Sequence, residues 1–171
     1  MSDHAARIAS IVSGFEEALA RVRARLSSTD ADAAERAPAD GGWTAAQVVA
    51  HLAAVNGSFA SIIDGTFAVA KPAAGGFVER GWDEIGGGMA EKLQAPSRVH
   101  PPAVITRDAA LASLGATGAK LIEALRALDA ERARLTMDSP VVGCVTLYQV
   151  GEWATVHLIR HNKQIKRILG G

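Results

Sequence analysis

Cys144 is the only cysteine in 171 residues, so no intrachain disulfide can form and a cysteine-rich zinc site is excluded. A reducing compartment, the cytoplasm, is the natural setting. Net charge is missing too, because 18 Lys and Arg residues balance 18 Asp and Glu residues. The basic footprint with which nucleic-acid binders neutralise phosphates is therefore absent, and nucleic acid is not an expected partner. Long apolar runs are also missing. Asp3 and Arg7 interrupt the stretch from Met1 to Phe15, which leaves no secretory signal core, and no apolar run approaches membrane-spanning length. The expectation is a soluble, unsecreted chain with no membrane partner. Aromatic residues are only 5% of the chain while alanine abounds, a composition that favours helices over a β-sandwich.

What is present suffices for one sizeable core, since 49% of the residues are hydrophobic, and a single domain over residues 1–171 is expected. Ile8, Ile11, Val12, Phe15, Ala18, Leu19, Val22 and Leu26 recur at spacings of three and four, which predicts a first helix from about Asp3 to Leu26. Ser27 to Asp30 stop it. A second helix starts at Thr44, where Gln47 completes a capping box and Trp43 with Val48 can form a hydrophobic staple. Its stripe is Val48, Leu52, Val55, Phe59 and Ile62; Asn56-Gly57 is a weak point, and Pro72 sets its latest end.

Residues Lys71 to Ile105 hold Gly75-Gly76, Gly86-Gly87-Gly88, Pro96 and Pro101-Pro102, and they read as a long connection with at most a short helix near Met89 to Leu93. The glycine triplet is no phosphate loop, since no Lys-Ser or Lys-Thr follows it. Leu111, Leu114, Leu121, Ile122, Leu125 and Leu128 mark a third helix, capped by Thr106 or Asp108. After a turn with Pro140 and Gly143, Thr146 with Gln149 repeats the capping box and Val145 with Val150 the staple. The fourth helix runs from there to about Leu169. The fold class expected is all-α, a four-helix bundle. The long crossover between helices two and three gives it up-down-down-up order, so helices two and three run parallel.

His157 and His161 are four residues apart on the fourth helix and project from one face, so both can reach one ion. His51 lies beside Leu52 on the inward stripe of the second helix. A rise of roughly 1.5 Å per residue puts His51 about 10 Å from the start of its helix, and His161 and His157 about 12 and 18 Å from the end of theirs. If the crossover makes helices two and four antiparallel, His51 is level with His161, and His157 lies one turn deeper. A single histidine on an apolar face reads first as an ordinary half-buried, hydrogen-bonded side chain, and the His157–His161 pair alone reads either way. A third histidine at matching height points to a divalent transition metal site with an open coordination position.

The order Trp43, Thr44, His51-Leu52, then Pro140, Gly143, Thr146-Leu147, then His157-x-x-x-His161-x-x-Gln164-Ile165 resembles the DinB/YfiT-like family of helical metalloproteins. That resemblance implies a four-helix bundle with the same chain crossing, a nickel, zinc or similar divalent ion, and frequent homodimers. It also implies kinship with thiol-dependent S-transferases and an isomerase that use low-molecular-weight thiols such as bacillithiol or mycothiol. The family name records a link to DNA-damage induction, which the neutral charge argues against reading as DNA binding.

Three reactions or roles fit such a site. An external thiol cosubstrate could attack a small electrophilic substrate with the metal's help, no catalytic side chain being assigned. Metal-activated water could hydrolyse a substrate, although the His-Glu-x-x-His pattern is absent and Glu152 and Asp64 are unplaced candidate bases. A non-catalytic metal-binding or stress-response module is the third. Gln164 could hold a ligand or bound water, or serve a polar helix face; Trp153 and Tyr148 could line a pocket, core packing being the plainer role of Trp153. Trp82 could cover the site or meet a partner subunit. Cys144 reads as a packed thiol, and His4 and His100 as solvated.

Overall fold

The computed structural model describes residues 2–39, 41–87 and 95–170. The chain is mostly helical, as expected. Its helices are α1 (Ser2–Ser27), α2 (Ala31–Glu35), α3 (Ala45–Asp64), α4 (Trp82–Gly87), α5 (Arg107–Ala127) and α6 (Leu147–Ile168). The long ones match the four expected segments. α3 continues through Asn56 and Gly57, because tertiary burial outweighs their poor helix propensity. Burial has left its mark there: Asn56 is inaccessible to solvent, and neither amide atom has a partner among the described residues. The short helix expected at Met89 to Leu93 lies outside the described residues, whereas α4 precedes it.

Two elements are additions to the sequence reading. Asp30 accepts from the backbone N–H groups of Asp32 and Ala33 and so caps α2, a single helical turn. β1 (Thr136–Ser139) and β2 (Gly143–Thr146) pair antiparallel, with Met137 opposite Val145, and Lys71 bridges to Thr136 on the outer side. This hairpin fixes where α6 begins, since Thr146 both ends β2 and caps the helix.

Both capping boxes are formed. Thr44 Oγ1 accepts from Gln47 N–H while Gln47 Oε1 accepts from Thr44 N–H, and Thr146 and Gln149 repeat the pair. Thr106, rather than Asp108, caps α5. α3 ends at Gly65, whose φ of +90° requires glycine. Arg132 closes that end by donating from Nε to Ile63 O and from Nη2 to Ile62 O.

The main packing of the long helices sets α1 on α5 and α6, and α3 on α5 and α6. Arg7 meets Glu152 near the starts of α1 and α6, and Arg25 meets Asn162 near their ends. Between α1 and α5, Arg126 meets Glu16 and Gly118 lies against Leu19. The apolar stripe of α1 from Ile8 to Leu26 is buried in full. One expectation needs correction. α3 has the length and a mean hydropathy of 1.4, enough to cross a membrane, but 72% of that window is buried inside the fold. Its continuous apolar surface is explained by contact with both α5 and α6.

Gly151 lets α6 approach its neighbours, since a Cβ there would stand 2.7 Å from Leu125 Cδ2 and 2.9 Å from Ile11 Cγ2. Gly151→Leu is therefore expected to lose about 1–3 kcal/mol in urea unfolding, and Thr146→Ala about 1 kcal/mol. An unchanged midpoint for Gly151→Leu would contradict so close a packing of α6.

Candidate metal centre

The capping box at Thr44 sets the register of α3 and buries His51, which is 3% exposed. The matching box at Thr146 sets the register of α6, from which His157 and His161 project half-buried. The His51 ring centroid is 5.1 Å from that of His157 and 5.0 Å from that of His161, while the latter two are 4.4 Å apart. Eight residues further along α3, Phe59 meets Trp153, four residues earlier on α6, at 5.0 Å. The three sequence-predicted ligands are thus brought together. One ring nitrogen from each lies within 4.8 Å of the others.

His51 is nearly equidistant from its two partners, so its ring meets both, although His157 and His161 stand one turn apart on α6.

Hydrogen bonds orient two of the rings. His51 Nδ1–H donates to the Val99 carbonyl at 2.8 Å, and His161 Nδ1–H donates to Gln164 Oε1 at 2.7 Å. In the neutral rings this leaves Nε2 as a bare lone pair on each, the form a metal takes. His157 differs, since its Nδ1 is buried with no partner among the described residues and its Nε2 lies 3.3 Å from His51 Nε2. Without a cation between them, either two lone pairs face each other or His157 donates from Nε2 and leaves Nδ1 bare. A tetrahedral ion with metal–nitrogen bonds near 2.05 Å separates its ligand nitrogens by about 3.3 Å. The donor set and this spacing fit a divalent ion.

Burial keeps all three rings neutral. The pKa of His51 is lowered by burial, offset by its bond to Val99 and reinforced by His100. That of His157 is lowered well below the usual value by burial, then by His161, His51 and Arg160. His161 is lowered to about 4 by burial and by His51, against the raising effect of Gln164.

Other candidates divide clearly. Gln164 touches a proposed ligand directly. Trp153 packs on Phe59, as core packing required. Glu152 is engaged by Arg7 and by Trp82 Nε1–H at 2.8 Å, so Trp82 anchors the connection to α6. Asp64, at the far end of α3, accepts from Thr66. Tyr148 is bonded to His4 at 2.6 Å under the Arg7 guanidinium, so His4 is not simply solvated. Cys144 is half-buried on β2, opposite Asp138. Sequence reasoning missed two contributors. The Val99 carbonyl comes from a segment without periodicity. His100, exposed and donating to Ala95 O, sits edge-on to Trp43, whose ring is 5.1 Å from His51.

A base whose pKa is lowered on folding leaves the folded chain with fewer protons than the unfolded one between the two values. Its stabilisation is complete above the ordinary value of 6.5, drains away as pH falls, and is gone below about 4. Metal-free protein should therefore lose urea stability from pH 7 to pH 4.5, and His161→Gln should lose less. Equal losses in the two proteins would contradict a buried, neutral His161.

Comparison with known proteins returned no match among curated proteins or solved structures. A family model does match residues 14–165, a span that contains all three histidines and both capping boxes. The chain belongs to the DinB superfamily.

Proposed function

We propose that this chain is a divalent-metal protein that transfers low-molecular-weight thiols to small electrophilic molecules. His51, His157 and His161 are the ligands, and nickel or zinc is the ion class, since borderline ions favour imidazole nitrogen. The observation that carries the reading is the convergence of three imidazoles, two of them held by Val99 and Gln164 with Nε2 directed away from those bonds. The frame is one up-down-down-up four-helix domain. Its support is the pairing of starts with starts and ends with ends between α1 and α6, against the opposed order of His51, Phe59 and Trp153, His157 between α3 and α6.

A divalent ion on these ligands would supply a Lewis-acid position at which a thiol gives up its proton more readily than in water. The chain itself does the positioning. Val99 and Gln164 hold two rings in one tautomer, Trp43 and His100 form an aromatic wall beside His51, and half-buried His157 and His161 leave an approach for a small molecule. In the overall reaction R–SH and R′–X give R–S–R′ and HX, so the thiol proton leaves with the displaced group. Carboxylate-assisted hydrolysis has less support, because Glu152 and Asp64 are already engaged elsewhere.

Wild type should carry about one ion per chain, and His51→Ala and His161→Ala should lose it, while Gln164→Leu weakens affinity by about 10–100-fold. Unchanged metal content in both histidine variants would remove the ligand set. Loaded protein should consume at least one of bacillithiol, mycothiol, glutathione and coenzyme A in the presence of an electrophile. No metal-dependent conjugation with any of the four would overturn the transferase reading.

A further inference from the structure

Gln47 does more than cap α3. Its Oε1 accepts from Thr44 N–H at 3.0 Å, which completes the box, and its amide hydrogens are used on the other side, where Nε2 donates to Pro102 O at 3.1 Å and to Ala103 O at 2.9 Å. These partners fix the orientation of the amide, since an N–H only donates and a carbonyl only accepts. Glutamate would close the same box and would suit the positive end of the helix better, so the cap alone does not call for an amide. Gln149 divides its side chain in the same way on α6, with Oε1 on Thr146 N–H and Nε2 donating to Arg80 O at 2.7 Å. Each helix that carries the histidines thus ties the long connection to its own first turn.

The tie at α3 bears on the histidines. His51 lies four residues beyond Gln47 on the same face of the helix, about 6 Å along its axis. The same stretch of the connection holds the His51 ring through Val99 O. Between the two tethers the chain is stiff. His100 has φ −65° and ψ 140°, the extended geometry imposed on a residue before proline, and the rings of Pro101 and Pro102 lock φ at the next two positions. From Val99 to Pro102 the backbone is therefore a rod of about 9 Å, and the side chain of Gln47, leaning toward the helix start, covers the difference. Few other contacts seat it. Positions 96–98, 100, 102 and 103 are exposed, Val99 enters the core at 5% exposure, and His100 adds its edge contact with Trp43.

We propose that Gln47 is a positioning residue for the metal centre: by holding Pro102 and Ala103 it sets the Val99 carbonyl against His51 and so selects the ring tautomer with a protonated Nδ1 and a bare Nε2. This rests on His51 being a metal ligand, as read above, and adds the residue that keeps the ligand ready. A neutral imidazole without that acceptor shares its proton between the two nitrogens, and the form with Nε2–H cannot bind an ion through Nε2.

Two variants separate cap from tether. Gln47→Glu keeps an acceptor for Thr44 N–H and loses both amide donors, whereas Thr44→Ala weakens the cap and leaves Gln47 untouched. The readout is the pair of His51 ring nitrogens in metal-free protein at neutral pH, followed by long-range proton–nitrogen NMR. Wild type and Thr44→Ala should both show a protonated Nδ1 and a bare Nε2, while in Gln47→Glu the two nitrogen shifts should move toward each other as the tautomers mix. Zinc affinity should fall about threefold to tenfold in Gln47→Glu, the size of one hydrogen bond, and stay within about twofold of wild type in Thr44→Ala. Unchanged His51 nitrogens in Gln47→Glu overturn the proposal. So does the same change in Thr44→Ala, which would make it an effect of the cap, and so does unaltered zinc affinity beside mixed tautomers. If Gln47→Glu does not fold, Gln47→Met, which lacks the donors and adds no charge, carries the same expectation and decides. A wild-type protein that binds no zinc would defeat the metal reading, and the metal-free spectra would still decide whether Gln47 sets the His51 ring.

Discussion

Keeping one ring nitrogen from each of three imidazoles within 4.8 Å of the others is the demand that organises this molecule. Crowded lone pairs repel, and buried rings without partners are costly, so the cluster persists only if α3 and α6 are held in fixed register. Two capping boxes start those helices at defined residues, and Gly151 brings α6 against Leu125 and Ile11. The long connection then adds the Val99 carbonyl from outside the helical frame. Much of what looks like ordinary helix packing serves to define where three nitrogens stand.

The same burial that makes the cluster costly gives it its chemistry. Low accessibility disfavours protonated imidazole, so the rings stay in the neutral form that binds metals, and Gln164 and Val99 select which nitrogen is bare. His157 carries the pointer to a cation in its other nitrogen. Its Nε2 stands 3.3 Å from His51 Nε2, the spacing of two ligands on one tetrahedral ion. Its Nδ1 is buried without a partner among the described residues, whereas His51 and His161 each bond through Nδ1.

The helical frame was largely legible in the sequence, for particular reasons. Thr44 with Gln47 and Thr146 with Gln149 are local signals whose physics needs nothing from the rest of the chain, and the period of α1 and the i, i+4 spacing of His157 and His161 follow from helix geometry alone. What stayed hidden depends on contacts distant in sequence. The hairpin of Thr136–Ser139 and Gly143–Thr146 is too short to show a period of two, and it forms because β2 leads directly into the α6 cap. Asn56-Gly57 is a weak point by propensity, yet α3 runs through it with Asn56 buried. Val99 and His100 carry no sequence signal at all, being a backbone carbonyl and a surface ring placed by a connection of 40 or so residues folding back.

X-ray absorption at the metal edge of the loaded, thiol-free protein tests the central claim most directly. The account predicts three imidazole nitrogens at about 2.0–2.1 Å with an oxygen or nitrogen from solvent completing the shell. Fewer than three imidazoles, or a sulfur ligand before any thiol is added, would contradict it.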